Sequence, residues 1–575
     1  MAFEIGLVMA GAVSGGAYTA GVMDFMIEAL DTWYGAMKDE AHLPPEQQTV
    51  PRHEVLLKAM AGASAGSVTA SILAIALAYR FPPVRLAAGQ NAPTMSGNPL
   101  FEGWVNSVDI QDLLSTTDFD GNADGEPAHR LKSALNSRKI DKTVKGILGS
   151  KGLTMQRDWV ASKLPVQLMV GNLRGVPYGL TFRGASGNGH EMMRHGDHMS
   201  FCVHGAGSGT STFIPGPGYL PLVHPNDSDT ANWRQLGNAA MASSAFPFAL
   251  RPRRLTRSPL DYDHRTYLQA GDCTLPPGDP LHCSTYQMIF PAWSRPQAGE
   301  YAFLCMDGGI MNNEPIDLVR SVLTDGEFER NPREGVQAHR AVLLVDPFLD
   351  PASYGPDEER PLHELLFPLL GAWKSQCRFK PEDLSLAQDT SVYSRFVIAP
   401  SRDYGPTDAE HPLASGGLHA FLGFFGVDFR RHDYQLGRRN AQQFLRMHFT
   451  LPENNPLFTT WAPQVRATWL AKTEYLSPPP GTTALHLPII PLLGDCDTML
   501  EKGLPWPVGG CDPARLRASI KTRIAAAYDA FKDDIGADWK IRLWLLPAWL
   551  LKKNKIVDWA VGALTEALEK QKLLR

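Results

Sequence analysis

The chain is poor in the features that would tie it to nucleic acid, a disulfide framework or the interior of a bilayer. Its 55 Lys and Arg stand against 60 Asp and Glu, a formal charge of −5, so no overall basic footprint faces a polyphosphate. Seven cysteines are too few, and odd in number, for a disulfide scaffold. Cys273 with Cys283, or Cys496 with Cys511, could pair in an oxidising compartment, but reduced thiols are the expectation. No C-x-x-C or other zinc spacing occurs, and neither a metal nor a cofactor is expected. No apolar run approaches the ~20 residues that cross a membrane. A basic stretch leading into an apolar core and a cleavage site is missing near Met1, where Phe3 to Met9 already reads as a buried strand. A cytoplasmic location is therefore expected. The 575 residues, 44% hydrophobic and 20% charged, suit a globular chain with one large core or two to three smaller ones.

What the chain does have is small residues placed at turns. Ala61-Gly62-Ala63-Ser64-Ala65-Gly66 follows the apolar segment Val55 to Met60 and precedes a helical pattern over Ser67 to Tyr79. That is G-x-S-x-G set between strand and helix. Gly62 and Gly66 leave room for a sharp turn that projects Ser64, while the helix start aims its dipole and open amides at the same point. The alternative is an ordinary helix-starting turn.

Ala10-Gly11-Ala12-Val13-Ser14-Gly15-Gly16 also lies between a strand and a helix, the latter predicted over Tyr18 to Leu30. Two phosphate-binding patterns fail here: G-x-G-x-x-G would need glycine at Val13, and G-x-x-x-x-G-K-[ST] would need lysine at Ala17. An oxyanion hole needs only small residues and converging amides, so that reading survives. A third turn, Asp307-Gly308-Gly309, ends the apolar strand Phe303 to Met306. Its aspartate is either a structural cap or a base presented by a tight turn.

Taken together, these turns resemble the patatin-like phospholipase family, over roughly residues 5–350. The family carries a Gly-rich oxyanion loop, a G-x-S-x-G elbow and a downstream D-G-[GA] aspartate, in the order found here. Asn313 and Pro315 after the aspartate, the segment Val170 to Pro177 and the helix end Ala239 to Pro247 agree. Phe429 to Arg438 is a weaker echo. The resemblance implies a three-layer α/β/α fold and a Ser64–Asp307 dyad without histidine. It also implies an oxyanion hole from Gly11, Ala12, Val13, Ser14, Gly15 and Gly16. Gly62, Ala63, Ala65 and Gly66 would frame the nucleophile, and Gly308 and Gly309 the aspartate. The loop departs from the family's G-G-G-x-[RK]-G: two glycines are replaced and the cation is absent. Its amides can still converge if Ala12 and Val13 keep negative φ. A Ser–His–Asp triad using one of the 17 histidines remains a rival.

Strands are expected at Val166 to Val170, Tyr178 to Phe182, Ala302 to Met306 and Ala341 to Val345, in a mostly parallel sheet. Gly89 to Gly125, Gly184 to Asn232 and Arg257 to Glu300 read as surface insertions, with His190, His195, His198 and His204 as solvated loop residues rather than metal ligands. The expected organisation is a catalytic domain over 1–350, a continuation or helical cap over 351–475, and a mainly helical extension over 476–575. From Trp539 on, eight cations stand against three carboxylates around Leu543 to Leu551. This tail either docks peripherally on an anionic membrane or packs on the core with its lysines at the rim. The expected activity is acyl-ester hydrolysis of a lipid, without nucleic-acid partners. A non-catalytic lipid-binding scaffold and an esterase or thioesterase on other substrates are the alternatives.

Overall fold

The computed structural model describes residues 2–86, 95–120, 131–180, 190–227, 229–263, 265–269, 285–288, 290–293, 299–324, 332–348, 369, 372–373, 376–378, 393–472, 485–534 and 539–575. The first half supplies β1 (Ala2–Met9), α1 (Gly16–Asp39), β2 (Glu54–Gly62), α2 (Ala65–Ala76) and α3 (Arg138–Leu148). Next come β3 (Lys163–Leu180), β4 (His190–His204), β5 (Tyr219–Val223), α4 (Ala231–Ser243) and β6 (Arg253–Arg257). The chain continues with β7 (Tyr301–Asp307), α5 (Ile316–Leu323), β8 (Arg340–Val345), β9 (Arg395–Ile398) and α6 (Val427–Met447). It ends in α7 (Pro513–Asp534) and α8 (Trp539–Lys570).

One twisted sheet links its strands by hydrogen bonds in the sequence β6-β7-β3-β2-β1-β8-β9, with β7 and β2 on successive stretches of one edge of β3 and β4 on its other edge. The path from β3 to β9 is parallel, while β7 and β6 join it antiparallel. Helices cover both faces because the strands read apolar on both. Along β1, Phe3, Ile5, Leu7 and Met9 enter the core shared with α1 and α2, whereas Val8 and Ala10 meet Ile316, Val319 and Leu323 of α5.

Helix α1 reaches beyond the predicted segment at both ends and is sandwiched between the sheet and α6. Two glycines let the helices touch backbone to backbone. A Cβ at Gly21 would lie 1.9 Å from Tyr434 O, and one at Gly437 2.1 Å from Tyr18 O. The fully buried Arg438 of α6 closes the contact by donating to Asp24 and Glu28 of α1 and to Glu501.

Three expectations need correction. The strands predicted at 166–170 and 178–182 are one strand, β3, bent by a register shift between Gly171 and Val176; Thr181 and Phe182 lie outside the described residues. The segment expected as a surface insertion over 184–232 carries sheet where it is described: β4 pairs with β3 along its length and β5 with β4, whereas 184–189 and 228 lie outside the described residues. The Gly, His and Ser residues that suggested a loop alternate with Met199, Phe201 and Val203, which bury one face. Consequently the histidines are strand residues. His198 is half-buried, and the desolvation, with the Arg265 guanidinium beside it, pushes its imidazole well below the usual range.

Arg257 and Arg265, in the third supposed insertion, reach the fully buried Asp197 of β4. Burial alone would raise that carboxyl, but the two guanidiniums hold it far below its ordinary range. Cys496 and Cys511 are unpaired and buried, which pushes the Cys511 thiol up to about 11, whereas Cys273 and Cys283 lie outside the described residues.

In the tail, one helix spans Trp539–Lys570, Pro547 included, since a long helix tolerates one missing bond. Its second half packs inward through Val557, Leu564 and Leu568, joined by Leu573 beyond its end, against Leu516 and Ile520 of α7. The side chains of 539–553 lie outside the described residues. No helix among the described residues is long and apolar enough to cross a membrane.

Replacing Gly21 by Ala forces α1 and α6 apart and is expected to lower stability by about 1–3 kcal/mol. The measurement is the urea midpoint, with an unchanged m value.

Candidate active site

Strand β3 acts as the ruler for the site. Along one of its edges, β2 ends with Gly62 opposite Leu168, and β7, running the other way, ends with Asp307 opposite Val170. Two strand ends therefore meet head-on, two residues apart. The chain past Gly62 turns sharply at Ser64, with φ 51° and ψ −123°, into α2. Such a backbone is strained for a non-glycine residue and survives only where its surroundings enforce it. Here the turn is crowded on both sides: a Cβ at Gly62 would lie 2.5 Å from Gly66 C and O, and one at Gly66 2.0 Å from Met9 O.

The result brings together the two residues singled out from the sequence. Ser64 Oγ donates to Asp307 Oδ2 at 2.9 Å, and both residues are buried. Asp307 Oδ1 accepts the Gly309 amide at 2.8 Å, so the carboxylate is oriented with its other oxygen toward the hydroxyl. Gly308 is needed because a Cβ there would sit 2.2 Å from Met169 O.

The segment Ala239 to Pro247 supports both partners. The Asp307 amide donates to Ala245 O at 3.0 Å, and the Ser64 amide to Ser243 Oγ at 2.9 Å. Ser243 Oγ in turn donates to Ser67 Oγ, and that to Gly62 O, each at 2.7 Å. The resemblance of the helix end Ala239 to Pro247 pointed at this segment, but only the fold shows that its Ser243 sits under the elbow.

The small-residue loop wraps the same point with altered geometry. Ala12 has φ −146°, but Val13 lies at φ +46°, so the condition of negative φ at both positions fails. A β-branched residue in that region is a strained outlier, at the place where the family usually has its third glycine. The Gly11 amide donates to Asn313 O at 3.3 Å and the Gly15 amide to Ala12 O at 2.7 Å, so neither is open to a ligand. Gly16 is pressed against Trp104, whose ring a Cβ would meet at 2.2 Å.

Ser14 is wholly buried and faces away from solvent; its hydroxyl donates to Ala420 O and accepts from Gly423 N at 3.0 Å. Residues Leu418, His419 and Ala420 form a left-handed turn, with φ of 52°, 52° and 72°. The echo segment 429–438 explains how that turn is held. Asp433 accepts the amides of Ala414 and Ser415 at 2.8 and 2.9 Å, and Arg430 donates to Gly423 O and Val105 O.

Behind the aspartate turn, Asn313 Nδ2 donates to Glu314 Oε1 at 2.6 Å. Its Oδ1 has no partner among the described residues and would lie 2.4 Å from a Cβ on Gly11. Arg378 donates to Glu314 at 3.1 Å and to Asp346 at 2.6 Å, so a cation does stand near the loop, matched by two carboxylates. Burial, with Asp346 adding to it, raises Glu314 to about 7 despite Arg378.

Ser64 opens on a cleft enclosing ≈ 620 Å³ of atom-free space, its mouth included. Val13, Val68, Trp104, Ile147 and Phe246 are among its walls, and its hydroxyl-bearing lining residues are Ser64, Thr143 and Ser244. Among the described residues no group of three or more His, Cys, Asp or Glu side chains could hold a metal ion.

The family model for patatin-like phospholipases matches residues 7–320, an interval holding the loop, the elbow and the aspartate turn. This chain belongs to the patatin-like phospholipase family. It is also 33% identical to "Uncharacterized protein y4iI" of Sinorhizobium fredii (strain NBRC 101917 / NGR234), over 97% of this chain and 80% of that protein. The patatin-like assignment carries with it a family of hydrolases acting on esters.

Glu314 yields a pH-dependent expectation. A carboxyl near 7 in the fold and ~4.3 unfolded keeps a proton that the unfolded chain releases. Its stabilising effect is full below the unfolded value and is lost as pH rises toward 7. Glu314→Gln should therefore flatten the fall in stability between about pH 5 and 7, as read from denaturation midpoints across that range.

Proposed function

We propose that this chain is a serine-dependent lipid acyl hydrolase in which Ser64 is the nucleophile and Asp307 its base. The observation that carries the reading is the 2.9 Å hydrogen bond between the two, at the end of an almost wholly apolar cleft. In the first step Ser64 Oγ attacks the ester carbonyl while its proton passes to Asp307 Oδ2. The tetrahedral oxyanion needs donors. The Gly66 and Ser67 amides are engaged by Ala63 and Ser64 carbonyls, which leaves the Ala65 amide at the start of α2 as the elbow's donor. Amides within Ala12 to Ser14 complete the hole in this reading. Collapse expels the alcohol, which takes the proton from Asp307. Water then attacks the acyl-Ser64 ester, Asp307 takes its proton, and breakdown of the second tetrahedral species returns that proton to Ser64 and frees the fatty acid.

Burial suits this base. An aspartate in water, near ~3.9, is a weak base for a serine hydroxyl, so proton transfer relies on the direct hydrogen bond between the two groups inside a buried site. No histidine is required by the arrangement. The apolar walls fit an acyl chain, which supports a lipid ester over a small polar one.

The strained Val13 and the engaged Gly11 amide favour a second reading, a lipid-binding scaffold whose oxyanion hole no longer works. A fluorophosphonate probe separates the two. Labelling lost on Ser64→Ala supports the hydrolase; an unlabelled wild-type chain supports the scaffold. Ser64→Ala and Asp307→Asn should each lower esterase turnover by at least ~10³-fold while leaving the circular dichroism spectrum unchanged. Full turnover in either variant would sink the dyad.

A further inference from the structure

The rim of the Ser64 cleft carries an arrangement that acyl transfer does not use. Residues 246–250 form a tight turn in which the Leu250 amide donates to Phe246 O at 3.0 Å and the Ala249 amide to Pro247 O at 2.8 Å. Phe246 and Leu250 line the cleft, whereas Phe248 between them has φ +63° and is 64% exposed. The turn is held from outside: Ala134 N–H donates to Phe248 O at 2.7 Å and Leu135 N–H to Ala249 O at 3.0 Å. Glycine or asparagine would adopt that backbone without strain. A phenylalanine there, rigidly held with most of its surface in water, packs little against its own chain.

Helix α3 lies beside this turn and has two unlike faces. Ile140, Val144 and Ile147 wall the cleft, while Lys139, Lys142 and Lys145 are exposed. The turn and the helix form one unit, since the Arg251 amide donates to Ser137 Oγ at 3.2 Å and Arg253 pairs with Asp141 at 2.6 Å. Residues 131–151 carry six cations and one carboxylate in a chain whose formal charge is −5. Asp112 and Asp229 approach Lys139 and Lys145 only to 3.6 Å, as exposed pairs that water screens strongly.

We propose that this rim, Phe248 flanked by the lysines of α3, is a docking surface for an anionic lipid bilayer that sets the mouth of the Ser64 cleft against the membrane. An aromatic ring enters the interfacial layer while neighbouring ammonium groups meet lipid phosphates, so one partner satisfies both halves of the patch. A second copy of the chain would bring lysines against lysines. The purpose of the surface rests on reading the cleft as a lipid-ester site, but its existence is measured without turnover.

The experiment is co-sedimentation of the full Ser64→Ala chain with phosphatidylcholine vesicles, with and without phosphatidylglycerol. Binding is expected with phosphatidylglycerol only, and is expected to weaken with added salt. Phe248→Ser and the pair Lys142→Glu with Lys145→Glu should each reduce it by about tenfold. Circular dichroism should be unchanged, and in the Ser64-bearing counterparts so should the rate of fluorophosphonate labelling. The proposal is overturned if the parent ignores phosphatidylglycerol vesicles, or if both variants bind as the parent does. It is equally overturned if Trp559→Ser in α8 abolishes binding while Phe248→Ser does not, which would place the contact in the basic tail. Loss of a concentration-dependent dimer in Phe248→Ser, with vesicle binding intact, would make the rim an interface between copies and also overturn it. If labelling fails but rim-dependent binding holds, the hydrolase reading falls and the docking surface stands.

Discussion

The site depends on two strands arriving from opposite directions and stopping on the same edge of β3. Because β2 runs with β3 and β7 against it, both carboxyl ends point at the gap between Leu168 and Val170. Strand residues rise about 3.3 Å each, so two positions of register separate the ends by about 7 Å, a span that two short side chains and a turn can close. A slip of one residue in either pairing would flip every side chain of that strand to the other face of the sheet. The hydrogen bond between Ser64 and Asp307 is thus a consequence of backbone register before it is a property of the two side chains.

Holding that register at its strained ends requires support from parts of the chain far away in sequence. Ser64 and Val13 both occupy the left-handed region, and each is secured by buried polar contacts rather than by local preference. Ser243 and Ser67 brace the elbow. Ser14 ties the loop to the left-handed turn at 418–420, and α6 holds that turn through Asp433 and Arg430. The Gly21–Gly437 crossing and the Arg438 cluster then lock α6 onto α1, whose start is the loop itself. The chain beyond residue 400 is therefore part of the site's foundation, and β9 likewise extends the sheet past residue 350.

The electrostatics near the loop differ from the family pattern in the same spirit. The usual cation is missing from the loop, and Arg378, behind the aspartate turn, is shared between Glu314 and Asp346. Glu314 keeps its proton up to about 7 because burial and Asp346 both disfavour its charge. In the proposed reading, oxyanion stabilisation would therefore rest on amides rather than on a cation within the loop.

Much of the site's geometry was legible in linear order, because glycine at a sharp turn leaves a local mark. Gly62 and Gly66 around Ser64, and Gly308 after Asp307, are required by backbone atoms within a few ångströms, so composition alone announced those turns. Apolar runs likewise revealed β1, β2, β7 and β8. Legibility failed where the pattern was mixed: β4 looked like a Gly- and His-rich loop because its apolar Met199, Phe201 and Val203 alternate with His198, Ser200 and His204. Val13 also misled, since a valine gives no warning of positive φ. By itself the sequence determined which residues could turn sharply and which hydroxyl and carboxylate those turns would present. Only tertiary structure decided that Ser243, Ser14 and α6 hold them there, because contacts between residues hundreds of positions apart depend on how the sheet and helices pack and leave no periodic trace in the chain.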